Sequence, residues 1–217
     1  ACRAFSTPVI SGNVSLYNET DGKAINPTPT IGMVGLIEPA ELALGGGFKG
    51  DGHTIALLGA AEGTHLGGSA YLALEKGLVT GRPPKPDFEA EKKVQGAVRH
   101  LVRSQAITTA HDLSDGGLAL ALAECSTGED SPGCTVTLPG SGRLDQRLFG
   151  EDGARILVAY TADKAAEVRS HAEAAGVALT ELGKTGGNKL CIEGVLDVDL
   201  TTMRTAWNNG FEEGVGL

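Results

Sequence analysis

Apolar positions in this chain follow two rhythms that alternate from residue 53 onward. His53-Thr54-Ile55-Ala56-Leu57-Leu58-Gly59 is apolar at consecutive positions from Ile55 on, the pattern of a strand covered on both faces. Ser69 to Lys76 predicts a short helix. After Pro83, Pro84 and Pro86, the stretch from about Asp87 to Gln105 predicts a long helix. Its Val94, Val98, Leu101 and Val102 recur at three- and four-residue spacing, so one face is buried. Ile107 to Ala110 reads as a strand running into His111, and Asp115 to Cys125 as a helix of nearly unbroken Ala and Leu. Cys134 to Leu138 and Ala154 to Tyr160 read as further strands. Asp163 is predicted to cap a helix that ends at Gly176. Ala178 to Leu182 and Leu190 to Glu193 read as the last strands, and Leu200 to Phe211 as a final helix. Alternation of this kind predicts one sheet with helices on its faces, α/β or α+β.

The first fifty residues read differently. Val9-Ile10 looks like the end of a strand, and Thr30-Ile31-Gly32-Met33-Val34-Gly35-Leu36-Ile37 like a second, glycine-interrupted one. The run from Ala43 to Gly52 is turn-rich and marks a boundary. Two strands and a loop cannot close a core. Residues 1–42 are therefore expected to be the tail of a truncated domain, and residues 43–217 a complete one.

Composition narrows the function classes. Glycine is frequent, at 32 residues, and aromatics make up only 4%, so the core must be built from Ala, Leu, Val and Ile. A formal charge of −9 argues against a nucleic-acid partner, which needs a basic face. It leaves nucleotides open, because backbone N–H groups and Mg²⁺ can hold phosphates. No apolar run reaches the ~18 residues of a membrane span. Cys2, Cys125, Cys134 and Cys191 lack C-x-x-C spacing, which speaks for free thiols rather than zinc or a disulfide framework.

Three polar blocks could carry chemistry. Ser11-Gly12-Asn13-Val14-Ser15-Leu16-Tyr17-Asn18-Glu19 is followed by the turn signal Asp21-Gly22. Gly12 permits close backbone approach, while the Asn13 amide and Ser15 hydroxyl suit hard cations and phosphate oxygens. A loop that satisfies its own turns is the alternative. In His111-Asp112-Leu113-Ser114-Asp115-Gly116-Gly117 a strand ends and two glycines open a helix, which has the logic of an anion site. Asp112 and Asp115 could hold Mg²⁺ beside a phosphate there; helix capping by Ser114 or Asp115 explains the same residues. In Gly150-Glu151-Asp152-Gly153-Ala154-Arg155, Glu151 and Arg155 are expected to pair across the turn. His65 lies beside a glycine-rich loop and is a candidate phosphate contact. His100 and His171 fall on amphipathic helices and are expected to be solvated, and Cys191 to be structural.

The string from Ser11 to Glu38 closely resembles the second half of phosphoribosylformylglycinamidine synthase, an ATP-dependent amide-to-amidine ligase of purine biosynthesis. The blocks from His111 to Glu124 and from Leu148 to Arg155 follow in the family's order. They are shared more loosely with the wider superfamily of aminoimidazole ribonucleotide synthetase, selenophosphate synthetase and thiamine-monophosphate kinase. The resemblance implies an α+β, layered fold, a mixed sheet with helices on its faces like the synthetase carboxy-terminal domain. It implies ATP and Mg²⁺ as cofactors, with Gly12 against ATP, Asn13 on Mg²⁺, and Ser15 on the substrate formylglycinamide ribonucleotide. Asp112, Asp115 and Gly116 are implied as candidate nucleotide contacts in a second, non-catalytic cleft. The family's catalytic histidine lies in the amino-terminal half, so no catalytic residue is assigned here, and this piece alone is expected to be inactive. No glutaminase follows Trp207-Asn208-Asn209-Gly210, which resembles the multi-subunit form with a separate glutaminase and a small third subunit in the cytoplasm. Two rivals stand beside this reading: another ATP-using superfamily member, or a module that only pairs with its duplicate and holds nucleotide structurally.

Overall fold

The computed structural model describes residues 1–215, so the last two residues of the expected 43–217 unit lie outside the described residues. The chain opens with α1 (Cys2–Phe5) and two-residue strands β1 (Glu19–Thr20) and β2 (Lys23–Ala24). Then come β3 (Thr54–Gly59), α2 (Ala70–Lys76), α3 (Phe88–Arg103), β4 (Thr109–Asp112) and α4 (Gly117–Thr127). They are followed by β5 (Cys134–Val136), α5 (Leu144–Phe149), β6 (Arg155–Tyr160) and α6 (Ala165–Ala174). The chain closes with β7 (Leu179–Thr185), β8 (Lys189–Ile192), β9 (Leu196–Asp199) and α7 (Leu200–Val215).

Seven strands pair in the order β4-β6-β3-β7-β5-β8-β9. Every pairing is antiparallel except β5 with β8. The consecutive apolar residues of β3 are fully buried because successive side chains point to opposite faces and both faces are covered. Ile55 and Leu57 join Leu157 and Ala159 of β6 in a core with Leu118, Leu122 and Leu148 of α4 and α5. Ala56 and Leu58 join Val158 and Tyr160 in a second core with Val94 and Leu101 of α3 and Val168 of α6. The expected α+β sheet with helices on both faces is present.

Local signals explain most boundaries. The Ser69 hydroxyl accepts from Leu72 N–H at 3.3 Å, and Asp87 accepts from Glu89 and Ala90 N–H at 3.0 Å each, capping α2 and α3. Helix α4 starts two residues later than its composition suggests, because Gly116 and Gly117 adopt φ of +73° and +59°. Asp163 is not a helix cap. It sits in a 3₁₀ turn, Ala162–Lys164, that precedes α6, and Lys164 holds the cap position. Helix α5 and strand β9 are additional to the expected elements.

Neither expected strand near the amino terminus forms. Val9-Ile10 and Thr30–Ile37 are irregular, and no residue from 1 to 47 is buried. A strand needs a hydrogen-bonding neighbour and a face to cover, and these residues have neither among the described ones. Only the Asp21-Gly22 turn is realised, both residues at positive φ, between β1 and β2.

Candidate functional site

The three glycine-rich connections of the carboxy-terminal unit converge at one end of the sheet. They are the β3–α2 loop, the turn between β4 and α4, and the α5–β6 turn. Glycine makes the approach possible. A Cβ on Gly117 would lie 2.8 Å from the Gly150 carbonyl oxygen, one on Gly63 2.5 Å from that of Gln146, and one on Gly150 2.8 Å from Gly63 Cα. Backbones in such contact leave room for no side chain.

Into this junction project Glu151, Asp152 and Arg155. Glu151 Oε1 accepts from Gly116 N–H and from Ala70 N–H, both at 2.9 Å, so one carboxylate closes the amino-terminal ends of α4 and α2 together. Asp152 accepts from Thr64 N–H at 2.6 Å, His65 N–H at 3.0 Å and the Thr64 hydroxyl at 2.8 Å. Partial burial pushes its carboxyl up, but these hydrogen bonds and the nearby Arg155 charge outweigh that and hold it below the usual carboxylate range. Arg155 is buried and donates to the carbonyls of Ala60 at 3.0 Å, Ala61 at 3.2 Å and Gly150 at 3.3 Å. Burial lowers its pKa, with Asp152 opposing. The expected Glu151–Arg155 pair is therefore absent. Each group has partners that no local spacing could announce, because they come from distant loops.

Of the motif residues, Asp112, Asp115 and Gly116 stand together at this end of the sheet. Asp112 and Asp115 are exposed, whereas Gly116 is buried and its N–H is already taken by Glu151. His65 is bound into the same junction. Its N–H reaches Asp152, its carbonyl accepts from Glu151 N–H at 3.0 Å, and its Nδ1 accepts from Gly67 N–H at 3.2 Å. Gly12, Asn13 and Ser15 are not brought to this group. Their loop is exposed, and its bonds run within it: Ser15 Oγ donates to Tyr17 O at 3.1 Å, and Tyr17 to Glu19 at 2.8 Å. Nothing lies within 4 Å of where a Gly12 Cβ would be. Sequence reasoning named Glu151 but gave it the wrong partner, Arg155, and missed its role at the two helix ends. Its signal was the glycine before it and the helix-opening glycines of the other blocks.

Two shallow clefts lie elsewhere. One of about 410 Å³ sits between α6 and β7, lined by Arg169, Glu173 and Glu181. The other, about 350 Å³, lies beside the start of α3, lined by Asp87, Lys93 and Gly153. The first includes no motif residue, and the second touches only Gly153 and Ala154 of the third block. Among the described residues no group of three His, Cys, Asp or Glu side chains is placed to hold a metal ion. No helix among them is long and apolar enough to cross a membrane.

Residues 50–192 match the family described as AIR synthase related protein, C-terminal domain. The chain belongs to that family. The match begins just after Phe48, the first buried residue, and ends on the last residue of β8, so the AIR synthase-related domain includes the whole glycine junction. Among curated relatives, phosphoribosylformylglycinamidine synthase subunit PurL of Anaeromyxobacter sp. (strain K) is 47% identical over 219 residues, 97% of this chain and 29% of the relative. The subunit of the same name from Thermomicrobium roseum is 41% identical, over 98% of this chain and 29% of the relative. The chain thus spans less than a third of the length of these relatives. Among solved structures, Thermotoga maritima PurL complexed with FGAR has a TM-score of 0.63 at 19% identity, over 76% of this chain and 30% of that one. This likeness establishes the family fold.

Proposed function

We propose that this chain is part of a phosphoribosylformylglycinamidine synthase: residues 43–217 its carboxy-terminal domain, residues 1–42 the end of the ATP-binding domain before it. The observation that carries this reading is the near-complete alignment, at 47% identity, with a subunit of that name. In this reading ATP phosphorylates the amide oxygen of formylglycinamide ribonucleotide. Ammonia from a separate glutaminase subunit then adds at the carbon and phosphate leaves, giving the amidine, ADP and phosphate. A small third subunit completes the cytoplasmic complex.

The chain's own contribution falls to its exposed loop. Gly12 lets backbone lie against ATP, and the Ser15 hydroxyl reaches the ribonucleotide once it releases the Tyr17 carbonyl. The loop's hydrogen bonds run between Ser15, Tyr17, Asn18 and Glu19, leaving the Asn13 amide oxygen for a hard cation. One amide oxygen suits Mg²⁺, which takes one or two protein oxygens beside phosphates and water. Bound there, the ion would neutralise charge on the triphosphate.

A second reading for the carboxy-terminal unit rests on Glu151. A carboxylate already sits where the N–H groups of α2 and α4 would receive a phosphate, which favours a supporting role over nucleotide binding at Asp112, Asp115 and Gly116. A chimera tests the main proposal. This chain replaces the aligned segment of the Anaeromyxobacter subunit, and amidine formation is followed with ATP, Mg²⁺, ammonia and formylglycinamide ribonucleotide. Turnover near that of the parent is expected. A folded chimera that releases no ADP in response to substrate overturns it.

A further inference from the structure

Helix α7 carries one apolar stripe along its length, and the body of the domain covers only part of it. Leu200, Met203, Trp207 and Phe211 recur at three- and four-residue spacing, so they share a face, while Thr201, Thr205, Asn209 and Glu212 stand on the other side. Leu200 is buried, and Met203 packs half-buried against the first core. Trp207, the one tryptophan of the chain, is 54% exposed and Phe211 76%. The stripe thus starts in the core and runs out into solvent.

The helix is held firmly where it starts. Leu200 N–H donates to the Asn188 carbonyl at 3.0 Å. The Arg204 guanidinium grips the carboxy-terminal end of α4, one nitrogen donating to the carbonyls of Gly128 at 2.8 Å and Ser131 at 2.7 Å. With α4 and β9 also packed against it, α7 has a fixed direction. At the helical rise per residue, Phe211 stands roughly 10 Å beyond Arg204 along the axis. Two large aromatic side chains are therefore presented side by side on a rigid support, with most of the Phe211 ring uncovered.

We infer that Trp207 and Phe211 are anchors that seat in an apolar groove on the part of the same polypeptide outside residues 1–217. The inference rests on the reading of this chain as part of a longer synthase, of whose relatives it spans 29%. Aromatic anchors of this kind dominate the contacts in which they are buried. Area decides between a tethered and a free occupant. Fully covered, the two rings would bury on the order of 300 Å² on this side, whereas a stable complex of separate proteins takes roughly 800 Å² from each partner. That is too little to hold a second copy or a separate subunit. It suffices for a segment whose local concentration is set by the chain itself. The unbroken stripe favours the same occupant, because the groove then extends the first core.

Hydrogen exchange over residues 207–215, measured in the isolated chain and in the chimera, is the test. In the isolated chain these amides should exchange as an unsupported helix end. In the chimera they should exchange at least ~10-fold more slowly, since a covered helix end no longer frays. Phe211→Ala should return that segment of the chimera to the fast rate while residues 50–192 keep their protection, and Phe211→Leu should retain most of the slowing. Equal rates in chain and chimera overturn the inference. So does protection in the isolated chain that grows with its concentration, which makes the occupant a second copy. Protection that appears in the chimera only when a glutaminase subunit is added overturns it too. The functional reading stands or falls separately, on ADP release in response to substrate, because a chimera can be protected and inactive, or active and unprotected.

Discussion

Thr30–Ile37 and Thr54–Gly59 are similar strings of small and branched apolar residues, and they end in opposite places. Ile31 is 84% and Val34 98% exposed, whereas Ile55, Ala56, Leu57 and Leu58 are each at 0%. Composition does not separate them. The second string has β6 on one edge, β7 on the other, and a helical layer over each face. The first has no such neighbours among the described residues. An apolar run is a strand only in company, and burial belongs to the assembly of elements rather than to the run. The proposed division of labour follows the same line: the exposed region carries the chemistry, and the buried one the stability.

The sharpest way to break this contrast is to truncate one side chain in each string. Leu57→Ala removes a fully buried side chain and is expected to destabilise the fold by about 3–4 kcal/mol in urea unfolding. Val34→Ala should shift the midpoint by less than ~0.5 kcal/mol. Equal effects would mean that the amino-terminal string is packed in solution. Glycines give the second comparison. Gly117→Ala sets a Cβ against the Gly150 carbonyl at positive φ and should cost about 3 kcal/mol, through overpacking and strain. Gly12→Ala meets open space and should leave melting unchanged.

Activity should show the reverse asymmetry. In the chimera, Asn13→Leu removes the proposed Mg²⁺ ligand at similar size, and kcat/KM should fall on the order of 100-fold, about 2.7 kcal/mol. Asp112→Asn should leave kcat nearly intact. If the Asp112 variant is dead and the Asn13 variant silent, the two sites have been assigned the wrong way round. The smallest effect concerns pH. The Asp152 carboxyl is held below 3.8 in the folded state, so its contribution is complete above the unfolded pKa and disappears as pH falls through the lower folded value. Asp152→Asn should therefore melt below the parent at pH 7, by less than ~1 kcal/mol given its exposure, and the gap should close in strong acid. A gap that does not narrow at all as the pH falls would sink the assignment.

What could be read from the chain depended on how local each signal was. The strand at Ile55–Leu58 and the helix over Val94 to Leu101 announce themselves, because their periodicity and caps lie within a few residues. Strand β9 is short and half polar, and α5 spans only Leu144–Phe149, too brief for a period to register. The strand expected at Thr30–Ile37 had the right residues and lacked the right surroundings. The roles proposed for Gly12, Asn13 and Ser15 rest on family resemblance alone, since their residues suit a simple turn equally well. Glu151 was least legible, because its partners lie 35 and 81 residues away in sequence and meet only when α2 and α4 dock.

The order of strands bears on how the protein is made. Strand β3 is central in the sheet, yet Leu58 pairs with Ile156 on one side and Leu179 on the other, roughly 100 residues downstream. A ribosome adding ~5–20 residues per second needs about 5–20 s to supply those neighbours. During that interval Ile55, Leu57 and Leu58 leave the exit tunnel as an unpaired apolar strand, which is the state most open to capture by a chaperone or by another nascent copy. The sheet's centre is thus made early and completed late, and yield in the cell should respond to translation speed across residues 60–155.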